Sequence, residues 1–226
     1  LNVTLLHTTS LAIAIKAIRK CYASEEKSDS FIALYGDWQC EQDQLVLGDK
    51  DQALIKRIIA AGHDSVLEHI QFTFDIDGVS RGLLQQFARH RIGVSPSVRS
   101  TRYTLGKIKQ EAHPFTSHAG LRAVDKYLVK SGNDFVDYNS IVQLEEVRQG
   151  ALAGIFNDDL KYMLPESFIT SMIVTFNARS LRHFFKLRLD SRAHWEIRAL
   201  ALKLFHLIPT NHMVLFDTIV IKSEDV

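Results

Sequence analysis

Ile70-Gln71-Phe72-Thr73-Phe74-Asp75-Ile76-Asp77 alternates apolar and polar side chains with a period of two, the pattern of a strand with one face in a core and the other in water. Gly78 reads as the close of that strand, and Ser80 as the start of a helix running through Arg91. A second strand is expected over residues 167–176, a stretch rich in β-branched and aromatic side chains that follows Pro165, which stops the helix containing Lys161. The remaining periodicity is helical. Thr9-Ser10 offers a cap to a helix over 11–22, Gly62 ends another over 52–61, Asn177 can cap a third over 178–187, and a fourth runs from 191 to 207 before Pro209. Residues 107–160 read as polar amphipathic helices that serve packing or assembly, and residues 24–44 are polar and mixed. Isolated strands set among helices predict an α+β fold, an antiparallel sheet flanked by helices, rather than a doubly wound parallel sheet.

With 226 residues, 46% of them hydrophobic, the chain can bury one sizeable core, so a single domain over 1–226 is expected. The formal net charge is only +1, so basic residues are balanced globally and concentrated locally, unlike those of a general nucleic-acid coat or a membrane-surface protein. Cys21 and Cys40 show no metal-ligand or redox spacing, and no secretory leader or long apolar run is visible. A reducing, cytoplasmic setting is the expectation.

The local concentration is Arg89-His90-Arg91-Ile92-Gly93-Val94-Ser95-Pro96-Ser97-Val98-Arg99-Ser100-Thr101-Arg102-Tyr103, which packs four guanidiniums, one imidazole and three serine hydroxyls around a Gly and a Pro. Four planar forks on one loop repel one another unless an anion sits among them, so a multiply charged ligand is one reading and a solvated basic loop the other. A track for single-stranded nucleic acid, with Phe87 and Tyr103 stacking on bases, and a patch for an acidic partner are further readings of the same stretch. Gln86, Arg89 and His90 lie three and four residues apart, as on one helical face. Ser65-Val66-Leu67-Glu68 has capping-box spacing, His63, His69 and His90 do not have zinc-site spacing and no metal is assigned, Trp195 and Phe184 read as core, and Arg81, Arg122 and Arg148 read as solvated charges.

Arg89-His90-Arg91 followed by a serine-bearing loop ending Ser100-Thr101-Arg102-Tyr103 resembles the signature of the flavin-dependent thymidylate synthases. Asn177-Ala178-Arg179-Ser180-Leu181 through Leu187-Arg188 to Trp195-Glu196-Ile197 is similar to a C-terminal block of that family, and Gly62-His63 with Leu67-Glu68-His69 to an N-terminal one. Three blocks in the right order are more specific than any one. The resemblance implies a homotetramer that binds FAD and converts dUMP to dTMP, with methylene-tetrahydrofolate as carbon donor and NADPH as reductant of the flavin. It implies no enzyme thiol nucleophile, no nucleic-acid partner and no membrane.

By motif position the resemblance assigns flavin contacts to Ser65, Arg89, His90, Arg91, the backbone of Val98, Asn177, Arg179 and His183. It assigns dUMP contacts to Gln86, Arg89, Val98, Arg99, Ser100, Thr101, Arg102, Lys161 and Arg188, and makes Arg188 the catalytic residue, set against the uracil. The chain also departs from the family pattern. One extra residue lies near Gly93-Val94, Ser97 and Val98 stand where Asn and Glu are frequent, His183 where Asn is common, and Lys161 where many members carry Arg. Arg192 replaces a frequent histidine, with His194 two residues on, so either could take over that contact.

Overall fold

The computed structural model describes residues 1–32 and 45–219. In chain order the elements are β1 (Asn2–Thr8), α1 (Leu11–Cys21), β2 (Phe31–Ile32), β3 (Leu45–Val46), α2 (Asp49–Ala60), β4 (Gln71–Ser80), α3 (Arg81–Phe87), β5 (Val94–Val98), α4 (Thr101–Thr104), α5 (Asp134–Leu152), α6 (Asn157–Leu160), β6 (Ile169–Asn177), α7 (Ala178–Arg188) and α8 (Trp195–His206). Short 3₁₀ turns fill several of the connections. The main sheet is antiparallel with strand order β1-β4-β6-β5, and β2 and β3 form a separate two-stranded pair. The α+β expectation is met.

Strand β4 follows the alternation on which that expectation rested, with Phe72, Phe74 and Ile76 all fully buried. It does not stop at Gly78. That glycine has φ +79°, and a Cβ there would lie 3.1 Å from the Leu1 nitrogen, so it permits a local twist and a close backbone approach inside a strand that continues to Ser80. Helix α3 is also shorter than its expected run through Arg91. Ser80 Oγ caps it by accepting from the Leu83 amide at 3.0 Å, and it ends at Phe87, which leaves the Arg-His-Arg triplet outside the helix. Gln86, Arg89 and His90 therefore do not share one helical face.

Two compact units make up the chain. The first comprises residues 1–2, 76–89 and 97–172. Its core joins Leu105, Ile108, Phe115, Val124, Leu144, Val147 and Phe168, with α5 as the central helix. Arg148, read as a solvated charge, is instead 6% exposed: its Nε and Nη2 donate to the two oxygens of Glu145, which also accepts from the Phe115 amide at 2.9 Å. A bidentate partner is what lets a guanidinium be buried on that helix face.

The second unit comprises residues 3–75, 90–96 and 173–226, of which those up to 219, except 33–44, are described. Helix α1 is capped by Ser10, whose Oγ accepts from the Ala12 amide, and it buries Leu11, Ala14, Ile15 and Ile18. Gly62, at φ +75°, follows the end of α2 as expected. Rings from β4 and α7 supply much of the core: Phe72 meets Phe216 edge-on at 5.8 Å, and Phe185 meets both Phe205 and Phe216. Each such buried ring contributes about 1.5–3 kcal/mol of transfer free energy. Trp195, expected in the core, is half exposed, because it lies two residues before Ile197 and so roughly 200° round the helix from the buried stripe of Ile197, Leu200, Ala201 and Leu204. Leu187 likewise falls off the buried stripe of α7. Cys21 is exposed at the end of α1, and Cys40 lies outside the described residues.

Asp51 is fully buried on α2 and accepts from Arg19 Nε at 2.8 Å, Ser28 Oγ at 2.5 Å and the Ser30 amide at 3.2 Å. Its replacement by alanine strands the Arg19 guanidinium, itself 7% exposed, without its counter-charge. Asp51→Ala is expected to lower unfolding free energy by about 3–5 kcal/mol; urea denaturation followed by circular dichroism measures it, and an unchanged midpoint would show the pair to contribute nothing.

Candidate active site

The junction of β6 and α7 gathers the expected residues that lie in the second unit. Asn177 caps α7, its Oδ1 accepting from the Ser180 amide at 2.9 Å, as its position in the sequence predicted. The same turn takes hold of the loop after the Arg-His-Arg triplet. The Asn177 amide donates to the Gly93 carbonyl at 2.9 Å, and Ser180 Oγ donates to the Ile92 carbonyl at 2.6 Å. Gly93 has φ +64°, and a Cβ on it would stand 2.3 Å from Asn177 Nδ2 and 2.5 Å from Ser180 Oγ. Only glycine fits there, for both its dihedral and its closeness to the cap.

Held in this way, His90 lies along α7. Its ring meets Phe184 edge-on at 4.9 Å and lies 6.2 Å from the ring of His183. Arg188, one turn beyond Phe184, donates Nε–H to His90 Nε2 at 3.0 Å. An arginine can only donate, so Nε2 must be the lone-pair nitrogen and the neutral ring carries its proton on Nδ1. Burial, reinforced by the neighbouring charges of Arg188 and His183, pushes the His90 pKa down to about 4. Burial also lowers the Arg188 pKa. The ring is thus a neutral Nδ1–H donor at pH 7, and Arg188 is a half-buried cation with a fixed orientation. Phe184 is buried core, as expected, and also packs against this imidazole.

Arg179, on the first turn of α7, pairs with Glu68 at 2.6 Å. The spacing from Ser65 predicts Glu68 as the far half of a capping box. Instead Asp64–His69 form a 3₁₀ turn after His63 with no side-chain cap, because the carboxylate is drawn to a guanidinium rather than to a backbone amide. Ser65, Arg91, Arg179 and His183 are exposed. Arg192 closes on Asp190 through two nitrogens, whereas His194 caps α8 by accepting from the Glu196 amide at Nδ1, so both residues in question have local roles.

The first unit holds the other expected residues. Gln86 sits on the last turn of α3, and its carbonyl accepts from the amide of the exposed Arg89. Val98 ends β5, and Arg99 follows with its amide on the Ser171 carbonyl and its side chain 3.7 Å from Asp77. The Ser100 carbonyl accepts from Thr104 Oγ1 at 2.9 Å, and Thr101 is buried in the turn of α4. Arg102 and Lys161 come together on one carboxylate: Asp158 Oδ1 is 3.1 Å from Arg102 Nε and 3.8 Å from Lys161 Nζ. Asp158 escaped the sequence reading, and the pairing of Glu68 with Arg179 was not among its expectations. For Asp158 the visible signal was its place three residues before Lys161.

The family model described as thymidylate synthase complementing protein matches residues 4–211. A flavin-dependent thymidylate synthase from Wolinella succinogenes is 43% identical over 217 residues, which is 96% of this chain and 97% of the relative. Solved structures point the same way. Thymidylate synthase X from Helicobacter pylori, crystallised with FAD and dUMP, matches at a TM-score of 0.82 with 37% identity over 96% of this chain and 98% of the other. A second structure of the H. pylori enzyme with the same two ligands matches at 0.84 with 38% identity, over 97% of this chain and 100% of the other.

The neutral His90 carries a pH signature. The folded pKa lies below the ordinary value near 6.5, so the unfolded chain takes up a proton that the folded one refuses; the His90 contribution is fully favourable above pH 6.5 and is lost as pH falls towards 4. The imidazole proton resonance of His90 is expected to titrate near pH 4 in the folded protein, and in His90→Asn the fall of stability between pH 6.5 and 4 is expected to be shallower. A midpoint near 6.5 would contradict the neutral pairing with Arg188.

Proposed function

The chain belongs to the thymidylate synthase complementing protein family, that of the flavin-dependent thymidylate synthases, and we propose from that premise which of its residues make dTMP from dUMP. The carbon comes from methylene-tetrahydrofolate and the reducing power from NADPH. FAD, when bound, supplies the redox chemistry that passes a hydride from NADPH to the product methyl group. The match over residues 4–211 supports reading the chain as one synthase domain.

The donor set fits a flavin dinucleotide. Its two phosphates need exposed, planar cationic donors, and the second unit presents Arg91 and Arg179 together with the neutral N–H of His90. His90, Arg91, Asn177, Arg179, His183 and Ser65 of that unit, with Arg89 and the Val98 backbone of the first, are the proposed flavin contacts. Asn177 spends its Oδ1 on the helix cap, so the amide Nδ2 is what it offers a ligand. For dUMP the proposed contacts are Gln86, Arg89, Val98, Arg99, Ser100, Thr101, Arg102, Lys161 and Arg188. Charge-assisted bonds of this kind contribute about 1.5–3 kcal/mol each when well formed.

Arg188 carries the proposed chemistry, and the observation that carries the proposal is its bond to His90. A methylene transfer to C5 needs electron density at that carbon, which builds negative charge on the uracil ring. A guanidinium whose orientation is already set stabilises that charge without reorganising. His90 does the setting: as a neutral acceptor it holds Nε without itself adding a negative charge, as a carboxylate in the same place would. Self-association to a homotetramer is supported by large apolar side chains left open in the first unit, among them Phe135, Phe156 and Tyr162, which are 78–84% exposed. No described helix is long and apolar enough to cross a membrane, and the proposed setting is the reducing cytoplasm.

Tritium release from C5-labelled dUMP tests the activity: release is expected only when FAD, NADPH and methylene-tetrahydrofolate are all present, and flavin binding without release would reduce the chain to a flavoprotein of another activity. Arg188→Lys is expected to lower turnover by about a hundredfold with the fold and flavin content intact, since a point charge reproduces neither the fork nor its bond to His90. Turnover near that of the parent would remove Arg188 from catalysis.

A further inference from the structure

The contact between α4 and the start of α6 has no part in the mechanism above, although it engages Arg102, a proposed dUMP contact, and lies beside Lys161, another. Asn157 Nδ2 donates to the Arg102 carbonyl at 2.7 Å, while the neighbouring Asp158 reaches the Arg102 side chain through Nε. The fit is close enough that a Cβ on Gly106 would approach Asn157 Oδ1 to 3.2 Å. Two successive side chains thus grip Arg102, one by its backbone and one by its guanidinium. The close approach is at Nε. The terminal amino groups, which form the end-on fork suited to two phosphate oxygens, take part in none of these contacts. The same Asp158 oxygen lies 3.8 Å from Lys161 Nζ, so one carboxylate organises both cations. All of these residues lie within the first unit.

We propose that Asp158 is a positioning residue and a built-in counter-charge of the nucleotide phosphate subsite: it aims Arg102 and holds Lys161 beside it, and it restrains affinity for the 5′-phosphate that substrate and product share. The inference rests on the reading that Arg102 and Lys161 bind that phosphate. With the carboxylate present the subsite carries a net single positive charge rather than two, and an incoming dianion meets a repulsive neighbour as well as two attractive ones. Because dUMP and dTMP carry the same phosphate, the restraint acts equally on both and favours product departure.

Asp158→Asn separates the two roles, since the isosteric amide oxygen can keep its place beside Arg102 Nε while the charge is gone. The measurement is the dissociation constant of dUMP, and of deoxyuridine as the ligand without phosphate, from the change in flavin absorbance of the FAD-loaded protein, repeated with inorganic phosphate as competitor. In Asp158→Asn the dUMP constant is expected to fall about two- to fivefold, the range of a half-exposed charge pair, with deoxyuridine unchanged, phosphate a stronger competitor, and the gain fading at high salt. Asp158→Ala, which loses the aim as well, is expected to bind dUMP more weakly than Asp158→Asn does, and Lys161→Ala to weaken dUMP without touching deoxyuridine. Weaker dUMP binding in Asp158→Asn, or equal shifts for dUMP and deoxyuridine, would overturn the inference while leaving the synthase reading in place. Failure of the unaltered protein to bind dUMP at all would overturn that reading itself.

Discussion

One hydrogen bond, from Arg188 Nε to the bare Nε2 of His90, sets the conditions that the second unit has to meet. For the imidazole to accept, it must stay neutral beside two potential cations, and partial burial against Phe184 achieves that. For the ring to reach α7 at all, the loop that carries it must be fastened to the start of that helix. This is the task of Asn177 and Ser180, and it is why residue 93 has no side chain. A strand whose buried residues bring Asn177 to the cap position, a helix whose stripe puts Phe184 and Arg188 on one side, and a glycine at the crossing point are all consequences of one geometric demand.

Carboxylates mark a second regularity. Arg179 leans on Glu68, Arg102 on Asp158, Arg99 towards Asp77, and each of these six side chains is about half exposed. Pairs like these add little stability, about 0–1 kcal/mol. Their effect is on the shape of the basic surface: each acid takes one edge of its arginine and leaves the rest of the fork to be addressed. Arg188 differs in that its Nε is held by an uncharged ring, which fixes the guanidinium without adding a negative charge.

How much of this was legible beforehand follows from the range of the interactions involved. The alternation in 70–77, the Ser10 and Asn177 caps and the Gly62 stop are all local patterns, and each reappears in the structure. Errors arose where a distant partner competed for a local one. Glu68 passed for a cap until Arg179, more than a hundred residues on, claimed it. Arg148 is a different case: its partner Glu145 is only three residues away, and what the local pattern did not show was that the pair lies on the inner side of α5 against the Phe115 amide. The helix through Arg91 had nothing in its own residues to end it at Phe87, since the bonds that draw the triplet aside come from α7. The proposed site residues come from three spaced motifs, whereas Asp158 belongs to none of them.

The fastening at residues 92 and 93 also bears on motion. Two successive carbonyls of the loop are held by the backbone of Asn177 and the hydroxyl of Ser180, while Asn177 is at the same time the residue that keeps the first turn of α7 wound. Lifting the loop therefore unties the helix terminus, and fraying the terminus releases the loop. The two behave as a single cooperative unit of local unfolding, in which His90 cannot swing away on its own and the first turn of α7 is protected from exchange for as long as the loop stays down.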